Sequence, residues 1–371
     1  MTDTSTQEFK AFDLLKFPMA VLVVYLHGHI TNMSVGGVTY AYSIDKYPIY
    51  SNLSYLISEL IGYLAVPTFF VISGYLFFKG LEREDRSFEA RKYVDKLLRR
   101  GKTLLLPYIL WNLIYLLLFW AGQTIFPGLM SGNNGLISNY GIVDFINAFW
   151  AGNGGFPICT PLWFVRDIIV MVLLAPLFFY LFRYTKWIPL LILAVLWLTG
   201  QTSHIYGVDF KSMLFFYGGG YFSCYQLLIT DCLRRLKKVL PFLYVATVVL
   251  AVFCFNTNDS MHIGAYSGRI SLLFGVPLLI CIGDMASRRV VSTSFGQFLT
   301  ASNFFIFAYH ILPLSFIIKF LLNAFAPSSE LSIIGVYLVS PAITIIIGLL
   351  IFAILKKFLP KTTSLLTGGR F

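Results

Sequence analysis

A histidine that moves protons needs a lone pair facing its substrate and a partner that decides which ring nitrogen keeps the hydrogen. The first apolar stretch of this chain offers such a group, because Asp13-Leu-Leu-Lys16 is followed by His27 and His29. Lys16 and His27 are eleven residues apart. At ~100° per residue that spacing returns to nearly the same helix face, with ~16 Å of rise between them. The pattern predicts a cation at the mouth of a membrane groove and an imidazole deeper inside it. His29 lies about 200° from His27 on such a helix and is expected to face elsewhere. Glu59, near the outer end of the next apolar stretch, lies at a depth compatible with His27. A carboxylate on one ring nitrogen would raise the basicity of the other. Each residue has a bland alternative: His27 as a structural hydrogen-bonder, Lys16 as a snorkelling lysine, Glu59 as an interfacial carboxylate facing water.

Other places combine reactive types with suggestive spacing. The second stretch ends in Phe69-Phe70-Val71-Ile72-Ser73-Gly74-Tyr75-Leu76. There Gly74 permits close approach of a helix or ligand, and Ser73 and Tyr75 bring hydroxyls. Arg99-Arg100-Gly-Lys102 leads into Pro107-Tyr108; such a cluster could hold phosphates or serve only to orient the chain in the membrane. Trp163 and the pair Arg166-Asp167 stand at the start of the fourth stretch. They read either as an ion pair anchoring a helix or as a hydrogen-bonding rim for a polar acceptor. Tyr309-His310 sits in the ninth stretch, where a lone histidine commonly serves packing. An outer segment rich in Gly and Asn (132–135 and 152–155) suits contact with neutral sugars or plain turns. The five cysteines show no CxxC pairing, so neither a disulfide framework nor a metal site is expected.

The elements that must position these residues follow from composition. Of 371 residues, 57% are hydrophobic, 17% aromatic and only 12% charged, and the mean hydropathy is +0.76. A soluble domain carries about 25% charged residues, so a polytopic membrane protein is expected. Runs near the roughly 20 apolar residues a crossing helix needs fall at 14–32, 53–78, 103–122, 161–182, 187–202, 212–230, 239–256, 269–286, 302–325 and 331–355. The expectation is an all-α membrane helix bundle of about ten transmembrane helices, with a re-entrant or tilted piece at the short fifth or the long second. With the N-terminus inside, the inner segments hold 23 of the 28 basic residues. Both termini are then cytoplasmic, and the net charge of +11 records orientation rather than nucleic-acid binding. No cleavable signal peptide, repeat or second soluble domain is visible, so residues 1–371 read as one domain, with a short cytoplasmic segment 1–12 and a cytoplasmic tail 356–371.

Taken together and in this order, the motifs resemble the integral-membrane acyltransferase-3 family. Its members show a basic residue, ten intervening residues and a histidine, matched by Lys16 and His27, with Asp13 in the family's D-x-x-[RK] form. Val66-Pro67-Thr-Phe69-Phe70-Val-Ile72-Ser73-Gly74-Tyr75-Leu76 matches a second element. Arg99-Arg100 through Pro107-Tyr108 matches a third, Pro161 to Arg166 a fourth and Tyr309-His310 a fifth. The resemblance runs from about residue 9 to Arg370. Members often carry Arg where this chain has Lys16, and the two differ in forked phosphate recognition. The soluble hydrolase-like domain fused to some relatives is absent from this chain.

The resemblance implies transfer of an acyl group, usually acetyl, from cytosolic acyl-coenzyme A to a hydroxyl or amine of an extracytoplasmic glycan or lipid-linked sugar. This would occur in the cytoplasmic membrane of a bacterium, with no permanently bound cofactor. His27 would be the general base and Glu59 its orienting carboxylate. The donor side would draw on Lys16, Asp13, Arg100, Lys102, Ser73, Tyr75 and His310, with Tyr75 and His310 as candidate oxyanion donors. The acceptor side would draw on Trp163, Arg166 and Asp167. The rival from another class is a transporter or flippase, whose ionisable residues line a permeation path; a non-catalytic scaffold leaves the Lys16–His27 register unexplained.

Overall fold

The computed structural model describes residues 3–82, 87–126, 135–152, 154–257, 262–289 and 293–370, so the Gly-Asn run at 132–134 and Asn153 lie outside the described residues. Helix α1 is Asp3–Leu26. A hairpin follows, β1 (Asn32–Val35) paired antiparallel with β2 (Val38–Ala41), Asn32 opposite Ala41 and Val35 opposite Val38. Its two-residue turn is Gly36-Gly37, at φ 58° and 82°, a left-handed backbone that residues other than glycine, asparagine and aspartate rarely adopt. Next, α2 (Pro48–Ser54), a π-helical segment Tyr55–Ile61, a 3₁₀ turn Gly62–Leu64 and α3 (Ala65–Phe78) run on as one helical stretch of 31 residues. A second such stretch joins α4 (Ala90–Arg100), the π-helical segment Gly101–Leu105 and α5 (Leu106–Ile125). The chain continues with α6 (Ile142–Trp150), α7 (Trp163–Leu173), α8 (Ala175–Thr185), α9 (Ile188–Leu198) and α10 (Phe210–Cys224). It ends with α11 (Ile229–Arg234), α12 (Leu240–Phe255), α13 (Ile263–Ser287), α14 (Ser294–Tyr309), α15 (Ile311–Phe325), α16 (Glu330–Phe358) and α17 (Pro360–Thr367).

Four of these stretches are long and apolar enough to cross a membrane: Pro48–Phe78, Ala90–Ile125, Ile263–Ser287 and Glu330–Phe358. Two bent pairs bring the number to six, Thr160–Leu173 with α8 at 62° and α14 with α15 at 71°. Proline explains both bends. Pro176 and Pro313 lack the N–H that would bond the carbonyl four residues earlier, and their rings crowd it. Large apolar side chains stay exposed along α12 (Phe242, Val249, Phe253) and α16 (Leu331, Ile346, Leu350), as surfaces facing hydrocarbon should. The chain is a mostly helical, multi-pass membrane protein. Among the described residues, the other four of the ten hydropathy runs fall on α1, α9, α10 and α12, which are shorter or carry charges. The 11 residues of α9 reach only about 16 Å against a ~30 Å hydrocarbon core, and α1 carries Lys10, Asp13 and Lys16 along its length.

The chain forms two compact units, Met1–Ile72 with Gln226–Ala353, and Ser73–Tyr225 with Ile354–Phe371. In the first, α1 lies along α13 so closely that a Cβ on Gly283 would sit 2.9 Å from Leu15 and 3.1 Å from the Ala11 carbonyl. In the second, Phe78, Phe182, Phe216 and Tyr217 form an aromatic core. There α17 folds back onto α5, with Trp111 Nε1 donating to the Leu366 carbonyl at 3.0 Å.

Candidate active site

The first unit holds the histidines. Helix α1 stops at Leu26, earlier than its hydropathy suggests. The His27 amide still bonds the Val23 carbonyl at 3.2 Å, and the Gly28 amide then closes a tighter turn on Tyr25 at 3.1 Å. Gly28 lies against α16, where a Cβ would come within 2.8 Å of Pro341. The helix runs from Lys16 to Leu26 with Pro18 inside it, and His27 follows on its last turn. Lys16 Nζ stands 2.5 Å from Asp13 Oδ1 in a pair that remains accessible to solvent. His27 is half-buried at the end of this helix.

The partner expected for His27 meets a different residue. Glu59 Oε1 lies 3.6 Å from His29 Nδ1. Helical phase ends at Leu26, so the 200° rotation that should have turned His29 away does not apply. Glu59 also sits in the π-helical segment Tyr55–Ile61, whose wider turn displaces side chains from ordinary helical register and recurs at functional sites. Gly62, just beyond it, lies against α1, where a Cβ would come within 3.1 Å of Leu26 Cβ. Buried hydroxyls fix the chain around the two histidines. Ser58 Oγ donates to the Tyr25 carbonyl at 2.7 Å, leaving it to accept from Tyr337 at 2.9 Å. The Tyr50 hydroxyl donates to the Ile30 carbonyl and accepts from the Ile30 amide, each at 2.9 Å. Glu330 accepts the amides of Ile49 and Tyr50 at 3.0 and 2.8 Å. None of these hydroxyls stood out in the sequence, where each is one tyrosine or serine among many.

His310 joins them from the bend between α14 and α15. Its ring is fully buried and its centre lies 5.3 Å from that of His27. Nδ1 is 2.7 Å from the Phe307 carbonyl. A carbonyl only accepts, so Nδ1 holds the ring hydrogen and a neutral His310 has no second N–H to offer an oxyanion. The oxyanion role considered for it is corrected on that ground.

The second unit holds the remaining candidates. Ser73 is half-buried and Tyr75 buried on α3. Between them a Cβ on Gly74 would collide with the Phe216 carbonyl of α10, so the glycine serves close helix packing. Arg100 ends α4 with its guanidinium 6.0 Å from the Phe77 ring, and Lys102 is exposed on the π-helical segment after it. Two cations that the motifs did not single out stand on neighbouring elements. Lys96 Nζ donates to the carbonyls of Leu76, Phe77 and Lys79 at 3.3, 2.6 and 2.6 Å, satisfying the open end of α3. Arg370 donates to the Thr103 carbonyl at 3.2 Å. Burial, and after it the Arg100 charge, pushes the Arg370 guanidinium down to about 10.

Trp163 lies under Lys211, whose Nζ is 5.5 Å from the ring centre. Arg166 is buried, with Nε and Nη2 on Asp167 Oδ1 at 3.1 and 3.0 Å. Its Nη1 donates to the carbonyls of Trp150 and Gly155 at 2.6 and 2.8 Å. Asp167 Oδ2 accepts from Ser212 at 3.2 Å. Of the three acceptor-side candidates, Arg166 alone bonds the Trp150 and Gly155 carbonyls, while Asp167 bonds Arg166 and Ser212, contacts that fit the anchoring alternative.

The first unit thus gathers a half-buried imidazole, a second imidazole beside it and a carboxylate–histidine pair, groups whose chemistry is proton transfer. Comparison with known proteins gives the class. A family model described as an acyltransferase domain matches residues 9–355. The chain belongs to the acyltransferase-3 family and is an acyltransferase. It is 26% identical over 343 residues to the succinoglycan biosynthesis protein ExoH of Rhizobium meliloti (strain 1021), covering 88% of this chain and 85% of that protein. No solved structure matches the chain.

Proposed function

We propose that this protein moves an acyl group, acetyl in the first instance, from cytosolic acyl-coenzyme A to a hydroxyl of a glycan or lipid-linked sugar across the bacterial cytoplasmic membrane, with both termini cytoplasmic and about ten passes of the chain. The observation that carries the reading is His27, half-buried at the end of α1 and eleven residues beyond Lys16, in a chain of a family that transfers acyl groups. The likeness to a succinoglycan biosynthesis protein supports a glycan as acceptor.

In this reading the acceptor oxygen attacks the thioester carbonyl carbon while His27 takes its proton. The carbon–sulfur bond then breaks, and His27 returns the proton to the departing thiolate. The Glu59 carboxylate, beside His29, lends negative potential near the imidazolium that forms between the two steps. Lys16 holds a phosphate of the donor, exchanging Asp13 for it.

The test is thiol release from acetyl-CoA by the purified protein with a hydroxylated oligosaccharide, paired with mass spectrometry of the sugar. His27→Gln is expected to abolish transfer while keeping the wild-type melting profile, and Lys16→Ala to weaken acetyl-CoA binding. Full acylation by the His27 variant refutes the base assignment; unchanged donor affinity removes Lys16 from the donor site.

A further inference from the structure

His310 has one nitrogen accounted for and one that is not. Pro313 removes the amide that would bond the Tyr309 carbonyl, and at the bend the Ile306 carbonyl still accepts the His310 amide at 3.2 Å. His310 Nδ1 takes the Phe307 carbonyl at 2.7 Å, with Ile306 at 3.3 Å. The hydrogen therefore sits on Nδ1, and Nε2 of the neutral ring carries a lone pair. That nitrogen is buried and has no hydrogen-bond partner in the structure, a costly state for a polar atom. Two rings lie beside the His310 ring, Phe307 with centres 6.2 Å apart and His27 with centres 5.3 Å apart and the planes tilted by 35°. Of the two, only His27 can supply a hydrogen. An N–H···N bond of about 2.9 Å between two imidazoles, each ring adding roughly 1.1 Å, puts their centres about 5 Å apart. The observed spacing is close to that value.

We infer that His310 is a positioning residue for His27: its acceptor nitrogen Nε2 holds one N–H of the His27 ring, so that the other His27 nitrogen presents its lone pair to the substrate. The inference rests on His27 being the base. When His27 takes the acceptor's proton, both its nitrogens carry hydrogen and the bond to His310 strengthens. When it gives that proton to the thiolate, the original tautomer returns and His310 has stayed neutral throughout. Nearby titratable groups have their own partners: Glu59 on the π-helical segment faces His29 on the loop after α1, and Tyr337 on α16 is paired with Ser58.

The experiment compares full-length wild-type enzyme with His310→Phe, which keeps the ring and removes the acceptor, and His310→Gln, which restores an acceptor oxygen. A base freed to adopt the wrong tautomer or tilt loses about 100-fold in rate. His310→Phe is expected to lose kcat to that extent with an unchanged KM for acetyl-CoA and a displaced acid limb in the pH–rate profile, and His310→Gln to recover most of kcat. Wild-type kcat in His310→Phe overturns the inference, as does equal loss in both variants with an unmoved pH profile, which marks a merely structural role. Nitrogen-15 NMR of histidine-labelled wild type reads the tautomer even if both variants misfold. An unprotonated His310 Nε2 supports the inference, and a protonated one at working pH overturns it. Should His27→Gln keep full activity, the base assignment itself falls, a result separable from any behaviour of His310.

Discussion

Replacing Arg166 with Met separates an anchor from a substrate contact. Arg166 is 5% exposed and its partner Asp167 is 1% exposed. Three of its nitrogens make four bonds, two to Asp167 and one each to the Trp150 and Gly155 carbonyls. Met fills most of the volume but leaves a buried carboxylate with Ser212 as its remaining hydrogen-bond donor at 3.2 Å. Removing one partner of a buried pair costs about 3–5 kcal/mol, most of it the stranded charge. At about 2–4 °C per kcal/mol for a protein of this size class, melting should fall on the order of 10 °C. The double variant Arg166→Met, Asp167→Asn removes the stranded charge as well and should recover more than half of that loss. Thermal melts of the purified protein, with limited proteolysis of segment 150–155, read both effects. An Arg166→Met protein that melts within about 2 °C of wild type while its KM for the acceptor rises tenfold would refute the anchoring account and return Arg166 to the acceptor site.

Two further outcomes follow from packing and charge. Gly74→Ala drives a methyl into the Phe216 carbonyl and to 3.1 Å from the Gly220 nitrogen; backbone atoms cannot step aside, so a loss of about 1–3 kcal/mol or failure to fold is expected. Gly101→Ala meets nothing within 4 Å and should stay within about 0.5 kcal/mol of wild type; equal melting of the two variants refutes the close contact. Arg370 is a cation that burial pushes down to about 10, below its ordinary range. Its charge therefore opposes folding at every pH below 10, and the opposition fades as the pH rises from 10 towards the ordinary guanidinium range. Arg370→Gln, which keeps a donor for the Thr103 carbonyl, should raise the melting temperature at pH 7 by a few degrees, on the order of 1–3 kcal/mol. A lower melting temperature shows that the guanidinium's contacts outweigh its burial.

The sequence was informative where chemistry depends on residue type, depth and one helix. An imidazole among apolar residues is costly enough to invite a functional reading, and the Lys16–His27 spacing needed only that α1 run on from Lys16 to Leu26. Contacts that depend on where a helix stops were not legible. His29 meets Glu59 because α1 ends at Leu26, with Gly28 against Pro341 of a helix distant in sequence, and because a π-helical turn carries Glu59. Hydropathy likewise joined α14 to α15 in one run and gave no sign that the bend fixes the tautomer of His310. Arg166 and Asp167 could be read as a local pair, but the loop carbonyls that complete the Arg166 set come from residues with no pattern of their own. Both ring-contacting histidines sit one residue past a helix end, His27 after Leu26 and His310 after Tyr309. A helix end leaves carbonyls without amide partners, and an imidazole placed there can spend one nitrogen on the backbone while keeping the other for a partner. His310 does so on the Phe307 carbonyl. That arrangement holds a histidine's tautomer without a second charge inside the membrane, where a charge is costly, and it explains why the carboxylate sought beside His27 could stand with His29 instead.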